Sequence, residues 1–191
     1  MNSEQFPKVH RAVERIQDLV EHWGWYLLLG LGLITAGLLA IFYSVSSTLI
    51  SVKVLGLFVA MGAALEGIQA FKMKKWSGFF LHVALGLIYG VVGLLLITRP
   101  IASAETLTLL LGVALLLSGS FKSIYALTHM HPLGAWLLLN GLITLTLGGM
   151  IIAQLPQSGL WVIGTLVGVD MLLRGITWTT LALKAKSVGS K

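Results

Sequence analysis

Six apolar stretches of about 20 residues follow one another along the chain. Each is long enough to cross a hydrocarbon core about 30 Å thick, because an α-helix rises about 1.5 Å per residue. The expected spans are residues 23–43, 49–71, 79–98, 106–127, 134–154 and 160–183. Only 10 % of the residues are charged, against about 25 % in soluble domains. The sequence therefore predicts an all-α integral membrane protein with six transmembrane helices.

Glycine and proline landmarks recur along the chain every 55 or 56 residues. The recurring sets are Gly30, Gly86 and Gly141; Gly37, Gly93 and Gly148; Gly56, Gly112 and Gly168; and Pro100 and Pro156. A fixed period of this kind indicates tandem copies of one structural unit. The predicted units are an N-terminal segment 1–22, repeat 1 (23–75), repeat 2 (76–131), repeat 3 (132–187) and a tail 188–191, with two helices in each repeat. Since each repeat crosses the membrane twice, all three enter from the same side, which predicts a parallel six-helix bundle with pseudo-threefold symmetry.

The recurring glycines predict the surfaces on which helices pack. Without a hydrophobic force between helices in lipid, association depends on close approach over small residues. The candidate packing residues are Gly30, Gly37, Gly86, Gly90, Gly93, Gly141 and Gly148. Within each repeat two of them lie seven residues apart, close to two helical turns, and so share one helix face. The alternative is a permeation path lined by bare backbone. The matched prolines are expected to end helices and shape the following turns.

Residues 6–22 form the only substantial segment outside the apolar stretches. Within 6–22, apolar residues recur at helical spacing, which predicts an amphipathic helix on the membrane surface or against a partner. The segment lacks the apolar core of a secretory signal, so we expect it to belong to the working protein.

Basic residues cluster at alternate helix ends. One side is expected to hold Lys8, Arg11, Arg15, Lys72, Lys74, Lys75, Lys184, Lys186 and Lys191. The other side has only Lys53 and Arg99 near helix ends. The positive-inside rule then predicts that both termini are cytoplasmic. The net charge of +6 is thus a topology signal, and no nucleic-acid partner is expected.

Ionisable residues inside the membrane are costly and are the candidate functional residues. They are Glu66, His82, Asp170 and Arg174, with Lys122 nearer the interface. Asp170 and Arg174 are spaced i,i+4 and can neutralise each other within one helix. Alternatively, Arg174 pairs with Glu66, and the two form a polar cluster with Lys122 near the pseudo-threefold axis. Such a cluster is either a structural contact that locks helices together or a proton or ion relay.

Enzyme signatures are absent from the sequence, and we expect neither catalysis, cofactor nor metal. The chain has no cysteine, which excludes disulfides, thiolate metal sites and cysteine nucleophiles. His10, His22, His129 and His131 are predicted to lie on the cytoplasmic side. They are either unrelated surface residues or a cluster that senses acidification.

The pattern as a whole resembles the HdeD family of small bacterial inner-membrane proteins. The resemblance rests on the tryptophan-led, glycine-spaced helix pairs of all three repeats, with Met61-Gly62, Ser118-Gly119 and Arg174-Gly175 in the second helices. It implies a role in resistance to acid or related stress, without catalytic residues to carry over. The expected function is non-enzymatic, by protecting the membrane or by organising partners. The alternatives are a small proton or ion channel or transporter, and a membrane sensor that signals through the N-terminal helix. Expected partners are the lipid bilayer, a second copy of the chain and other membrane or stress proteins.

Overall fold

The computed structural model describes residues 23–73, 75–128 and 134–189. For residues 188 and 189 it describes the backbone alone. The helices are α1 (Trp23–Phe42), α2 (Ser44–Lys72), α3 (Trp76–Thr98), α4 (Pro100–Thr128), α5 (Gly134–Ala153), a 3-10 helix (Gln157–Leu160) and α6 (Val162–Gly189). All six α-helices are long and apolar enough to span a membrane, and the described residues contain no strand. The prediction of an all-α membrane fold with six spans is confirmed. The predicted helix at 6–22 and the four histidines that were predicted to be cytoplasmic lie outside the described residues.

The second helix of each repeat is longer than its apolar core. The predicted starts at residues 49 and 106 were wrong by one to two turns, since α2 begins at Ser44 and α4 at Pro100. The added turns carry serine and threonine. Thr48 donates to the Ser44 carbonyl one turn back at 2.8 Å, and Ser103 donates to the Leu95 carbonyl at the end of α3 at 3.2 Å. These hydrogen bonds satisfy the two hydroxyl groups locally. Residues whose low hydropathy suggested a loop therefore continue the helix.

The two prolines lie where the first helices of repeats 2 and 3 end. Pro100 is the first residue of α4, where its missing N–H is no loss. Pro156 precedes the 3-10 helix that delays the start of α6 to Val162. The hydroxyl of the fully buried Ser158 donates to the Ile151 carbonyl at 2.7 Å and ties this turn back onto α5.

The chain forms two compact units. The described part of the larger unit is 43–73, 75–128 and 134–165, and it contains α2 to α5, the 3-10 helix and the first residues of α6. Its core contains Val52, Leu96 and Ala104, which are almost fully buried. One buried hydrogen bond links helices far apart in sequence, since the backbone N–H of Gly164 donates to Thr48 Oγ1 at 2.8 Å. It satisfies a donor in the first turn of α6 that has no partner within its own helix.

The described part of the smaller unit consists of α1 and residues 166–189 of α6. Aromatic contacts join the start of α1 to the end of α6. Tyr26 stacks on Trp178 with ring centroids 5.4 Å apart, and Lys186 Nζ lies 4.6 Å from the centre of the Trp23 ring. Such rings and cations favour the bilayer interface, so these contacts place the helix ends there.

Candidate functional site

The closest helix contacts join different repeats. The first helix of repeat 2, α3, packs on α2 of repeat 1, and α5 of repeat 3 packs on α4 of repeat 2. In the smaller unit, α1 of repeat 1 packs on α6 of repeat 3. The helix pairs that pack in the structure are therefore shifted by one helix from the helix pairs that repeat in the sequence, and we call this out-of-phase packing.

The recurring glycines lie at these three contacts. A methyl group added to Gly93 would lie 2.8 Å from the Ala60 backbone nitrogen and 3.0 Å from the Gly56 carbonyl oxygen. The equivalent contacts join Gly148 to Gly112 and Leu116, Gly37 to Gly168 and Leu172, Gly141 to Gly119 and Ser123, and Gly30 to Gly175 and Thr179. Gly86 has more room, and Gly90 has only the Ala63 side chain nearby, at 3.8 Å. Close backbone contact in lipid depends on such small residues.

Glu66 and His82 meet between α2 and α3. His82 Nδ1 lies 2.6 Å from Glu66 Oε2, and each side chain is 20 % exposed. Gly86 is one turn beyond His82, and a methyl group added to it would lie 3.4 Å from the Glu66 Cβ. The small residue lets the helices approach, which brings the two ionisable side chains together.

Lys122 and Asn140 meet at the corresponding contact between α4 and α5. The ammonium group of Lys122 donates to Asn140 Oδ1 at 3.1 Å. Lys122 is ten residues past Gly112, as Glu66 is ten past Gly56. The structure thus gives Glu66 and Lys122, two members of the alternative polar cluster, separate partners within the larger unit.

Asp170 and Arg174 pair with each other on α6. Arg174 Nε lies 2.8 Å from Asp170 Oδ2, with the side chains 68 % and 56 % exposed respectively. This is the i,i+4 arrangement that the sequence allowed. Among the described residues, Asp170 and Arg174 form one ion pair, and the Glu66–His82 contact is a second when His82 is protonated.

One position of the repeat therefore carries three different contacts. Ten residues past the landmark glycine of each second helix lie Glu66, Lys122 and Trp178, and each contacts the neighbouring first helix. Sequence reasoning missed Asn140 and the Tyr26–Trp178 stack. Two signals in the sequence could have found them. Trp178 lies ten residues past Gly168, the interval at which Glu66 and Lys122 follow their own landmark glycines. The two residues of each polar pair also lie at equal distances from the connection between their helices, centred on residue 74 for Glu66 and His82 and on residue 131 for Lys122 and Asn140.

The Glu66–His82 contact has the clearest chemical capacity. At 2.6 Å one proton bridges the two side chains. Either an imidazolium donates to a carboxylate, or a carboxylic acid donates to a neutral imidazole. The contact therefore places a shared proton between two helices. No group of three or more potential metal ligands is found among the residues that the structure describes.

A double-mutant cycle tests this pairing. We expect Glu66→Gln and His82→Gln to be coupled by about 0.5–3 kcal/mol in unfolding free energy, because each leaves the other side chain without its partner. The control cycle, Glu66→Gln with Lys122→Met, should give the smaller coupling, since Lys122 has its own partner. Thermal unfolding of the purified proteins in one detergent measures both. Equal coupling in the two cycles would instead favour the shared polar cluster.

Comparison with known proteins gives one match. Residues 28–98 and 84–153 each match the family model described as a short repeat of unknown function, DUF308. No curated protein and no solved structure matches the chain. The two matched segments overlap within α3 and together span α1 to α5. The chain is therefore a multi-pass membrane protein that belongs to the DUF308 repeat family, the family to which HdeD-like proteins belong.

Proposed function

We propose that this protein is an HdeD-like, non-enzymatic protein of the bacterial inner membrane that contributes to resistance to acid or general stress. It acts by preserving the membrane barrier or by organising partner proteins there. The proposal is carried by the observation that the repeated positions serve helix packing. The landmark glycines pack helix on helix, and the intramembrane polar residues pair one to one at or near those contacts.

The proposed orientation has both termini in the cytoplasm. Lys72 and Lys75 flank the connection from α2 to α3, and Lys184 and Lys186 lie near the end of α6. Trp76 and Phe79 form an aromatic cluster at the start of α3 with ring centroids 6.2 Å apart, as is typical of an interface. A reporter enzyme fused after Lys191 should be active only in its cytoplasmic form; periplasmic activity would contradict the orientation.

Survival after acid challenge tests the proposed role. A bacterial strain that lacks the protein should lose viability and take up a membrane-impermeant dye, and the wild-type chain should restore both. Gly148→Val, which disrupts a packed pair, should restore neither, whereas Gly149→Val should act as wild type. Restored survival without a restored barrier would favour partner organisation. Equal survival with and without the wild-type chain would contradict the proposal.

The second candidate function is proton or small-ion transport, favoured by the Glu66–His82 contact. A proton held between two membrane-spanning helices is the kind of site that a proton pathway uses. Liposomes containing the purified protein and an internal pH dye measure this directly. Transport predicts proton flux in the wild type that Glu66→Gln abolishes without loss of folding. Equal leakage from empty and protein-containing liposomes would exclude it.

A further inference from the structure

An open groove of about 420 Å³ lies between α3 and α4, the two helices of repeat 2. Its apolar wall consists of Val92, Leu95, Leu96, Ala102, Leu107 and Leu110, and its polar lining residues are Arg99, Ser103 and Thr106. The groove follows from the out-of-phase packing. Gly93 of α3 contacts α2, and Gly112 of α4 contacts α5, so these glycine contacts do not draw α3 and α4 together.

The groove runs from the end of the helices toward the middle of the membrane. Arg99 lies in the turn between Thr98 and Pro100, and Leu110 lies about 16 Å further along α4 at about 1.5 Å per residue. That length is about half of a hydrocarbon core about 30 Å thick. The groove therefore matches the depth of one bilayer leaflet.

The charge is at the interfacial end of the groove. Arg99 is exposed and forms no ion pair within the part of the chain that the structure describes. The hydroxyls of Ser103 and Thr106 donate to the carbonyls of Leu95 and Ala102, which leaves the guanidinium as the free donor. A planar guanidinium is suited to bind the oxygens of a phosphate.

We propose that this groove binds one anionic phospholipid, with the phosphate at Arg99 and one acyl chain along the apolar wall. A phospholipid is complementary to the groove, because its negative phosphate lies at the interface, as Arg99 does, and its hydrocarbon chain lies deeper, as the apolar wall does. The net negative charge matters because the guanidinium has no carboxylate partner among the described residues. A zwitterionic lipid brings its own ammonium and neutralises Arg99 less well. The site is independent of the Glu66–His82 contact and of the proposed role in stress.

Native mass spectrometry of the full chain tests the site, with palmitoyl-oleoyl phosphatidylglycerol as the probe. The wild type should retain one lipid preferentially, and Arg99→Gln should weaken its retention about tenfold. Lys53→Gln is the matched control, since it removes an exposed cation that does not line the groove, and its retention should equal that of the wild type. Equal retention by Arg99→Gln and the wild type, or an equal loss in Lys53→Gln, would overturn the proposal.

Two further measurements separate the lipid from other ligands. Ala102→Phe should fill the groove and weaken lipid retention while leaving the charge in place, and Arg99→Lys should keep most of the retention. These two variants also carry the test if Arg99→Gln does not fold. Soluble glycerol 3-phosphate should show no comparable binding; tight binding of it would identify free phosphate as the ligand. A dimer that Ala102→Phe dissociates would identify a second copy of the chain as the occupant and overturn the lipid assignment.

Discussion

Replacing Gly148 with valine is expected to destabilise the α4–α5 pair strongly, whereas the same change at Gly149 should have little effect. A methyl group at residue 148 would lie 2.9 Å from the Gly112 carbonyl oxygen and 3.0 Å from the Leu116 nitrogen. Both are backbone atoms, which cannot move aside without separating the helices. At Gly149 no atom lies within 4 Å of the added methyl group.

Overpacking of this kind costs about 1–3 kcal/mol, and backbone contacts place Gly148→Val at the upper end. We expect its melting temperature to fall by about 5–10 °C in detergent, or the protein to aggregate. Gly149→Val should remain within about 2 °C of the wild type. Fluorescence-detected size exclusion after heating measures both. Equal melting temperatures for the two variants would show that α4 and α5 do not pack through this face.

The second large effect is expected at Thr48, whose hydroxyl joins α2 to the start of α6. Thr48 is fully buried, and its oxygen accepts the 2.8 Å hydrogen bond from the Gly164 N–H. Thr48→Val keeps the shape of the side chain but leaves that N–H without an acceptor in a water-poor site. The expected cost is about 1–3 kcal/mol of unfolding free energy.

Thr108 supplies a matched control for this experiment. It is also fully buried, but its hydroxyl has no hydrogen-bond partner among the described residues. Thr108→Val therefore removes a buried polar group that gains nothing from burial and should be neutral or stabilising. Thermal unfolding of the two variants side by side gives the comparison. If Thr108→Val lost as much stability as Thr48→Val, the loss would come from repacking and not from the hydrogen bond.

The sequence predicted that recurring glycines form helix-packing faces, but it left open which helices meet. The period of 55 or 56 residues places Gly30, Gly86 and Gly141 at one position of the repeat. It does not distinguish packing within a repeat from packing on the next repeat, because both preserve the period. The choice between these two packings depends on the direction in which each glycine faces, which the turns between the helices set. Those turns differ between repeats, since Pro100 and Pro156 have no counterpart in repeat 1.

The candidate polar residues were identified by the cost of charge in lipid, but their partners were harder to predict. As an alternative to the Asp170–Arg174 pair, Glu66 was predicted to lie beside Lys122 and Arg174, because their positions in the repeats are similar. The structure pairs Glu66 with His82, sixteen residues on. Equal distances from the connection between α2 and α3 are enough for contact across an antiparallel helix pair. Periodicity relates repeats to one another, whereas this pairing comes from the chain folding back on itself.

The packing of α1 against α6 has a consequence for the order in which the protein is made. In chain order, α3 directly follows its partner α2, and α5 directly follows its partner α4. The glycine face of α1, with Gly30 and Gly37, has to wait in the lipid until α6, the last of the six helices, has been synthesised. The smaller unit therefore depends on two helices that are separated by the whole of the larger unit in the sequence.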